Sequence, residues 1–200
     1  MLEGLSRASR LRVIAMSAPS TETPSTPATP VPPAKFLSPR SVSLYGVLIA
    51  LTAAVTMLVA IPFPPTRGFF NLGDSVVFFT AFTFGVRAGG ICGGIGSAAA
   101  DVLLGYGYFA PITLVTKGAE GLVAGLVGGR QTKKTWALGL GVAAGGVCMV
   151  TGYFLGEWVY YGLGPAIAEI PVNITQVAVG GTVGIAISYL VMRFLQRSGR

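Results

Sequence analysis

The sequence predicts an all-α integral membrane protein with six transmembrane helices and with both termini on the inner side. Apolar residues make up 52% of its 200 residues and charged residues only 10%, whereas an average soluble domain has about 25% charged residues. Six apolar runs follow one another, separated by short polar or Gly/Pro-rich segments. The basic residues fall almost entirely in alternate segments between these runs, as the positive-inside rule requires.

Two regions follow from composition. Residues 1–40 are predicted to be a disordered cytoplasmic tail, because Ser, Thr and Pro dominate much of this segment and keep a chain extended and solvated. Residues 41–200 are predicted to be the membrane domain. The net charge of +7 would suggest a nucleic-acid partner in a soluble protein. Here topology explains the charge, so the expected surroundings are a lipid bilayer and no nucleic acid.

The apolar runs are long enough to cross a membrane core of about 30 Å, although the second is short. Gly and Pro mark the segments between them as loops, above all PFPPTRGFFN at 62–71 and the connector 157–171. The predicted spans are 43–61, 72–86, 88–104, 109–128, 136–156 and 172–192.

The charge count tests this topology. With the N-terminus inside, the inner segments hold all of the 14 Lys and Arg residues except Arg67, in an outer loop, and Lys117, within a span. Five or seven spans would break this asymmetry. The chain is therefore expected to be a multi-pass protein of a cell membrane.

Lys117 and Glu120 are the most informative charged residues. Counted from the outer end of the fourth span, they lie roughly 12 and 16 Å deep, and their spacing places them on one helix face. Charged side chains cannot face lipid cheaply. They form either a structural pair, with Asp101 as a further partner, or the polar floor of a ligand cavity.

Two further polar pairs have both structural and functional interpretations. Asn71 and Asp74 fit a capping box at the start of the second helix, and they can also line a pocket. Asn173 and Gln176 share one face near the outer end of the sixth helix. Their amides suit an uncharged heterocycle, or they bond neighbouring helices to each other.

The outer ends of the helices are richer in aromatic and acidic residues than the inner ends. An interfacial aromatic belt explains part of this enrichment. A mouth that stacks on a planar polar ligand explains the rest. The predicted contributors are Arg67, Phe69, Phe70, Trp158 and Tyr161, together with Asp74 and Asp101.

Motifs for catalysis are missing from the sequence. The chain has no His and only two well-separated Cys, which excludes His-based triads and argues against a metal site. GGRQTKKT lacks the spacing of a phosphate-binding loop. We therefore expect no enzyme, no metal and no cofactor, and any uphill transport must draw energy from a partner or an ion gradient.

Small residues recur four positions apart, for example at Gly90/Gly94 and Gly180/Gly184, which is typical of close helix packing in membranes. Ala50 and Ala54 repeat the pattern in the first helix, which carries no charge within its predicted span. This helix could present a smooth face to another membrane protein.

The stretch FFNLGDSVVFFTAFTFGVRAGGICGGIGSAAADVLLGY, followed by TLVTKGAEGLVAGLV, resembles the substrate-binding (S) components of energy-coupling factor (ECF) vitamin transporters. The similarity extends over roughly 43–197 and is greatest to the riboflavin or hydroxymethylpyrimidine-type branch. The resemblance implies a six-helix fold without catalysis and a vitamin bound near the outer face, under the loop 62–71. It also implies that Ala50 and Ala54 dock on a transmembrane coupling subunit, which works with two cytoplasmic ATPases.

Two other functions fit the same sequence. One is a stand-alone secondary transporter that uses Glu120 or Asp101 as a proton site. The other is a non-transporting membrane scaffold in which Lys117 and Glu120 are purely structural.

Overall fold

A computed structural model describes residues 38–130, 132 and 134–198. Within these residues the chain forms a helical bundle and one β-hairpin. The helices are α1 (Pro39–Leu58), α2 (Gly73–Phe84), α3 (Val86–Leu103), α4 (Ala110–Gly128), α5 (Thr135–Tyr161) and α6 (Leu163–Ser198). The hairpin pairs β1 (Ala60–Phe63) with β2 (Gly68–Asn71). The predicted tail lies outside the described residues, except for 38–40, where α1 already begins.

The predicted helical bundle is confirmed in the described residues. Four of its helices are long and apolar enough to cross a membrane, namely α1, α4, α5 and the 163–194 part of α6. Helix α2 has only 12 residues, which span about 18 Å. Helix α3 has 18 residues, but five glycines and two charged residues lower its hydropathy. The count of six spans stays a prediction.

Helix α2 is the centre of the bundle. All of its residues from Gly73 to Thr83 are buried, as expected for a helix that is apolar on every side. Phe78 and Phe82 stack with their ring centroids 6.0 Å apart, and both belong to the largest apolar cluster. Because other helices enclose α2, its shortness leaves no polar backbone facing lipid.

Glycines allow the helices to approach at their backbones, as the small-residue patterns predict. A Cβ added to Gly94 of α3 would lie 2.7 Å from the carbonyl oxygen of Leu114 in α4. A Cβ on Gly180 of α6 would lie 2.5 Å from Cβ of Asp74 in α2. These contacts bring the charged residues of neighbouring helices within reach of one another.

The segment 62–71 was expected to be a loop, but most of it forms the β-hairpin. β1 and β2 pair antiparallel, with Ala60 opposite Asn71 and Phe63 opposite Gly68. Proline is tolerated here because both strands of a two-stranded ribbon are edges. The nitrogen of Pro62, which carries no hydrogen, can therefore face away from the partner strand. Arg67 completes the turn in the left-handed region, with φ 55°.

The prediction of a connector at 157–171 is also wrong, because almost all of this segment is helical. Gly162 alone separates α5 from α6; it has φ 87°, and its N–H donates to the carbonyl of Trp158 at 3.0 Å. Pro165 lies in the first turn of α6, where a missing N–H costs no helical hydrogen bond. The two helices run antiparallel, since Gly146 approaches Val177 while Gly181 approaches Val142.

Candidate functional site

A cavity lies at one end of the bundle, beneath the β-hairpin. It is bounded by β2, the C-terminal part of α3, the start of α4, the C-terminal part of α5 and the first half of α6. The empty space is about 360 Å³ including the open mouth, of which about 30 Å³ is wide enough for the centre of a water molecule. The lining residues are Gly68, Phe69, Asn71, Asp101, Phe109, Thr113, Tyr153, Glu157, Glu169, Asn173 and Gln176.

Within the described residues, three hydrogen bonds hold the β-hairpin over this cavity. The hydroxyl of Thr66 donates to Oε2 of Glu169 on α6. The backbone N–H of Asn71 donates to Oε1 of Gln176, also on α6, at 2.9 Å. The Tyr108 hydroxyl donates to the carbonyl of Arg67 at 3.2 Å. The hairpin therefore acts as the cover of the cavity, and two of its three fastenings are to α6.

The upper wall of the cavity carries two acidic residues that face each other. Glu157 of α5 is within hydrogen-bonding reach of Glu169 and Asn173 of α6. Glu157 and Glu169 are 1% and 4% exposed. Both lie close to Gly162, five residues before it and seven after it, because that glycine folds α6 back along α5. Two carboxylates so placed repel each other unless a proton or a cationic group neutralises them.

A second group of polar residues in the cavity wall comes from α3, α4 and α5. The Tyr153 hydroxyl hydrogen-bonds to Oγ1 of Thr113 at 3.1 Å. Thr113 is in turn within hydrogen-bonding reach of Asp101. Among the described residues, Oδ2 of Asp101 and Oε2 of Glu157 are buried and find no hydrogen-bond partner. Both residues belong to the cavity wall.

A buried ionic network forms the floor under the cavity. Lys117 of α4 donates to Oδ1 of Asp74 on α2 and to Oε2 of Glu120 at 3.0 Å. Its Nζ also lies 5.6 Å from the ring centroid of Tyr153. The Gln176 amide approaches both Asp74 oxygens at 3.3 Å. We call Asp74, Lys117, Glu120 and Gln176 the floor network.

Gln176 connects this floor to the cover of the cavity. Its amide nitrogen donates to Asp74, while its amide oxygen accepts from Asn71 in the hairpin. Asn173 lies one helical turn earlier on the same face of α6 and lines the cavity. The sequence spacing of this pair thus correctly indicated one inward face.

The capping-box interpretation is wrong, because Leu72 is the N-cap of α2 and no side chain makes a capping hydrogen bond there. Oδ1 of Asn71 instead accepts from the backbone N–H of Gly73, two residues later, at 2.9 Å. The carboxylate of Asp74, by contrast, turns away from the helix start and joins the floor network. Its partner Lys117 was expected to pair with Glu120 and Asp101; the structure adds Asp74 and places no direct hydrogen bond between Lys117 and Asp101 among the contacts of the described residues.

The structure separates the residues singled out from the sequence into three groups. Five line the cavity: Phe69, Asn71, Asp101, Asn173 and Gln176. Three lie in the floor beneath it: Asp74, Lys117 and Glu120. Four lie away from the wall: Arg67, Phe70, Trp158 and Tyr161. Of these, Trp158 is 50% exposed and packs on Phe154, while Phe70 borders a separate apolar groove.

Sequence reasoning missed several wall residues: Phe109, Thr113, Tyr153, Glu157 and Glu169. The two glutamates had a signal, because both fall at outer helix ends. Their segment was assigned as a connector, so neither was expected to point inward. Thr113 and Tyr153 resemble ordinary membrane-helix residues, and only the tertiary structure places them next to Asp101.

All acidic residues after position 40 are therefore in the cavity wall or its floor. Each is at most 4% exposed. The described basic residues lie elsewhere, apart from Lys117 in the floor and Arg67 at the exposed turn of the hairpin. The basic ends of α1, α3, α4, α5 and α6 are at the other end of the bundle. The molecule is thus polarised, with an acidic, aromatic end that holds a cavity and a basic end.

Comparison with known proteins gives a consistent result. A family model described as "ECF-type riboflavin transporter, S component" matches residues 36–193. An uncharacterised protein of Pyrococcus woesei is 41% identical over 138 residues, which cover 69% of this chain and 92% of that protein. The protein named "Thiamine precursor transporter HmpT" of Lactococcus lactis subsp. cremoris is 32% identical over 155 residues, covering 77% of this chain and 89% of that protein.

Proposed function

Since the chain belongs to the family of ECF-type riboflavin transporter S components, we propose that it is the membrane-embedded subunit that captures a vitamin or vitamin precursor from outside a prokaryotic cell. The observation that carries this proposal is the polar cavity under the hairpin, which opens at the end of the bundle with few basic residues. Family membership agrees with a transport role and not with catalysis.

The proposed topology has all six helices crossing the membrane, with the N- and C-termini inside. Helices α2 and α3 complete the count: α2 is short but buried among the other helices, and α3 is glycine-rich but presents the exposed apolar residues Ile91 and Ile95 to the lipid. The exposed Arg87 lies at the proposed inner end of α3, and Arg67 lies in the hairpin at the proposed outer end. This arrangement keeps the positive-inside asymmetry and turns the cavity outward.

Two substrates are suggested by the comparisons, riboflavin by the family description and a thiamine precursor by the Lactococcus relative. Ligand cavities usually measure about 300–1,000 Å³. Only about 30 Å³ of this cavity is wide enough for the centre of a water molecule, which is below that range, so any ligand requires wall side chains to move. A single pyrimidine ring requires less side-chain movement than the three fused rings of riboflavin. A hydroxymethylpyrimidine-type precursor is therefore our first candidate, with Phe69 and Phe109 as its apolar contacts.

The proposed docking surface for the coupling subunit is the outer face of α1. Ala50 and Ala54 are exposed, and a Cβ on Gly46, one turn earlier, would meet no atom within 4 Å. The opposite face of the helix is buried through Leu48 and Thr52. A smooth helix face of small residues allows another membrane helix to pack closely.

Replacement of Ala54 by Trp tests this surface. We expect A54W to bind ligand as the parent does but to lose co-purification with the coupling subunit and its two ATPases, because the indole holds the helices apart. Val115→Trp is the control, since Val115 is 70% exposed on α4. Loss of the complex in both variants, or in neither, would remove α1 as the docking face.

Uptake by proteoliposomes tests the function itself. The full chain is reconstituted with or without the coupling subunit and ATPases, and accumulation of labelled hydroxymethylpyrimidine or riboflavin is measured. We expect accumulation only when the coupling subunit, the ATPases and ATP are all present. ATP-independent accumulation by the chain alone, abolished by collapse of a pH gradient, would contradict the proposal.

That second outcome corresponds to a stand-alone proton-coupled transporter. The buried Oδ2 of Asp101 and Oε1 of Glu120, which find no partner among the described residues, favour it as the runner-up. Both oxygens could bind a proton in the interior of a bundle.

A further inference from the structure

The carboxyl groups around the cavity outnumber the cations available to them. In the described part of the chain, Asp74 and Glu120 share the ammonium group of Lys117. Asp101, Glu157 and Glu169 line the cavity above, and no salt bridge to a cationic side chain reaches them within the described residues. We call these three residues the cavity carboxyls.

Two of the cavity carboxyls have an oxygen to which the described part of the protein supplies no hydrogen-bond donor. Asp101 and Glu157 are 4% and 1% exposed, and each keeps one buried oxygen without a partner in the part of the chain that is described. A buried carboxylate that lacks partners is costly, so such groups are rare unless another charge or donor completes them. The missing donors fit a ligand that enters the cavity.

The neutral wall groups already have partners of their own. The Gln176 amide is used by Asn71 and Asp74. The Tyr153 and Thr113 hydroxyls interact with each other. Phe69 and Phe109 add ring surfaces to the same wall. The Asn173 amide is within hydrogen-bonding reach of Glu157. The oxygens of the described wall that lack a partner are thus those of Asp101 and Glu157, which lie beside aromatic rings.

We propose that the cavity carboxyls, led by Glu157, recognise an N–H-bearing or positively charged edge of a flat ring ligand. The inference rests on the proposed function and narrows its substrate class. The substrate is an amino-substituted or cationic heterocycle. An anionic vitamin such as pantothenate is disfavoured, because the cavity wall in the described residues offers no cation to pair with it. Charge-assisted hydrogen bonds from such a ring to Glu157 and Asp101 are the strongest contacts available in this cavity.

A purely structural role predicts different behaviour for the same residues. Glu169 receives a hydrogen bond from Thr66 of the hairpin, so the acidic pair could simply fasten the cover. In that case Glu157→Gln would lower the melting temperature and leave ligand discrimination unchanged. If the carboxyls serve the ligand, Glu157→Gln relieves repulsion in the empty protein, whose melting temperature stays the same or rises, and ligand binding weakens.

The test is calorimetric titration of the purified full chain in detergent with a matched pair of pyrimidines. One is 4-amino-5-hydroxymethyl-2-methylpyrimidine; the other is its 4-oxo counterpart, in which a carbonyl acceptor replaces the amino donors. Pantothenate and riboflavin complete the set. We expect the amino compound to bind at least tenfold more tightly than the oxo compound, and pantothenate not to bind. Glu157→Gln should reduce the amino compound's affinity at least tenfold and its preference over the oxo compound.

Arg87→Gln is the control, because it also changes the net charge by one unit but lies exposed at the other end of the bundle. It should leave both affinities unchanged. Equal binding of the two pyrimidines, or unaltered discrimination in Glu157→Gln, would overturn the inference. Binding of pantothenate or riboflavin without the amino compound would overturn the inference and leave the proposed function intact. Failure of every compound would reject both.

Discussion

The floor network and the cavity carboxyls use the same acidic residue types in two different ways. In the floor, Asp74 and Glu120 both contact Lys117, and Gln176 adds its amide. Higher in the cavity, Asp101, Glu157 and Glu169 have hydroxyl and amide neighbours but no ammonium or guanidinium partner among the described contacts. Acidic residues that are matched by a cation hold the bundle together. Those that are left unmatched are available to a ligand.

The largest effect is expected when the floor loses its cation. Lys117→Met leaves two buried carboxylates without a counter-charge, and breaking a buried pair in this way typically costs about 3–5 kcal/mol. We expect a large fall in melting temperature, measured on the detergent-purified protein. The additional changes Asp74→Asn and Glu120→Gln should restore much of the loss. A Lys117→Met protein as stable as the parent would contradict the claim that the floor network stabilises the bundle.

A smaller effect is expected when the helices that carry the floor are pushed apart. Gly180→Ala places a methyl group 2.5 Å from Cβ of Asp74, and overpacking of this kind costs about 1–3 kcal/mol. Thermal unfolding should report it. Gly139→Ala on α5 is the matched control, because a Cβ there meets no atom within 4 Å. The control should be neutral or slightly stabilising, and equal losses in both variants would show that close approach at Gly180 is unimportant.

The smallest effect on stability is expected at the cover of the cavity. Thr66→Val removes the hydroxyl that donates to Glu169, a contact worth about 1 kcal/mol. The ligand should dissociate about fivefold faster, the kinetic equivalent of that energy, in a stopped-flow measurement. Thr182→Val is the control, since that exposed hydroxyl bonds only within its own helix, to the carbonyl of Ala178 at 2.8 Å. Unchanged dissociation in Thr66→Val would show that the fastening does not retain the ligand.

Sequence patterns located the floor and half of the wall because membrane burial makes polar residues conspicuous. Lys117 and Glu120 stood out by their depth and spacing, and Asn173 and Gln176 by their shared face. Their partners did not follow from sequence. Asp74 had a local explanation as a cap, and only the close approach of α2 and α4 makes it the counter-ion of Lys117.

The rest of the site depends on the tight turn at Gly162 and on the β-hairpin, and the local sequence predicted neither. Gly162, Pro165 and Pro171 are breakers in most contexts, so they indicated a connector. Here one glycine makes the turn and both prolines fit α6, which brings Glu157 and Glu169 together. The prolines of the hairpin likewise indicated an irregular loop, although a two-stranded ribbon accepts them at its edges. In both cases the tertiary contacts outweigh the local propensity.

The most direct test of ligand binding under the hairpin is hydrogen–deuterium exchange of the full chain, with and without the vitamin or precursor that most raises its melting temperature. Binding in the cavity should slow exchange in 60–71, because the cover closes on the ligand, and should leave 135–145 of α5 unchanged. A stabilising compound that does not alter exchange in 60–71, or a panel in which no compound stabilises the folded protein, would contradict a ligand site beneath the hairpin.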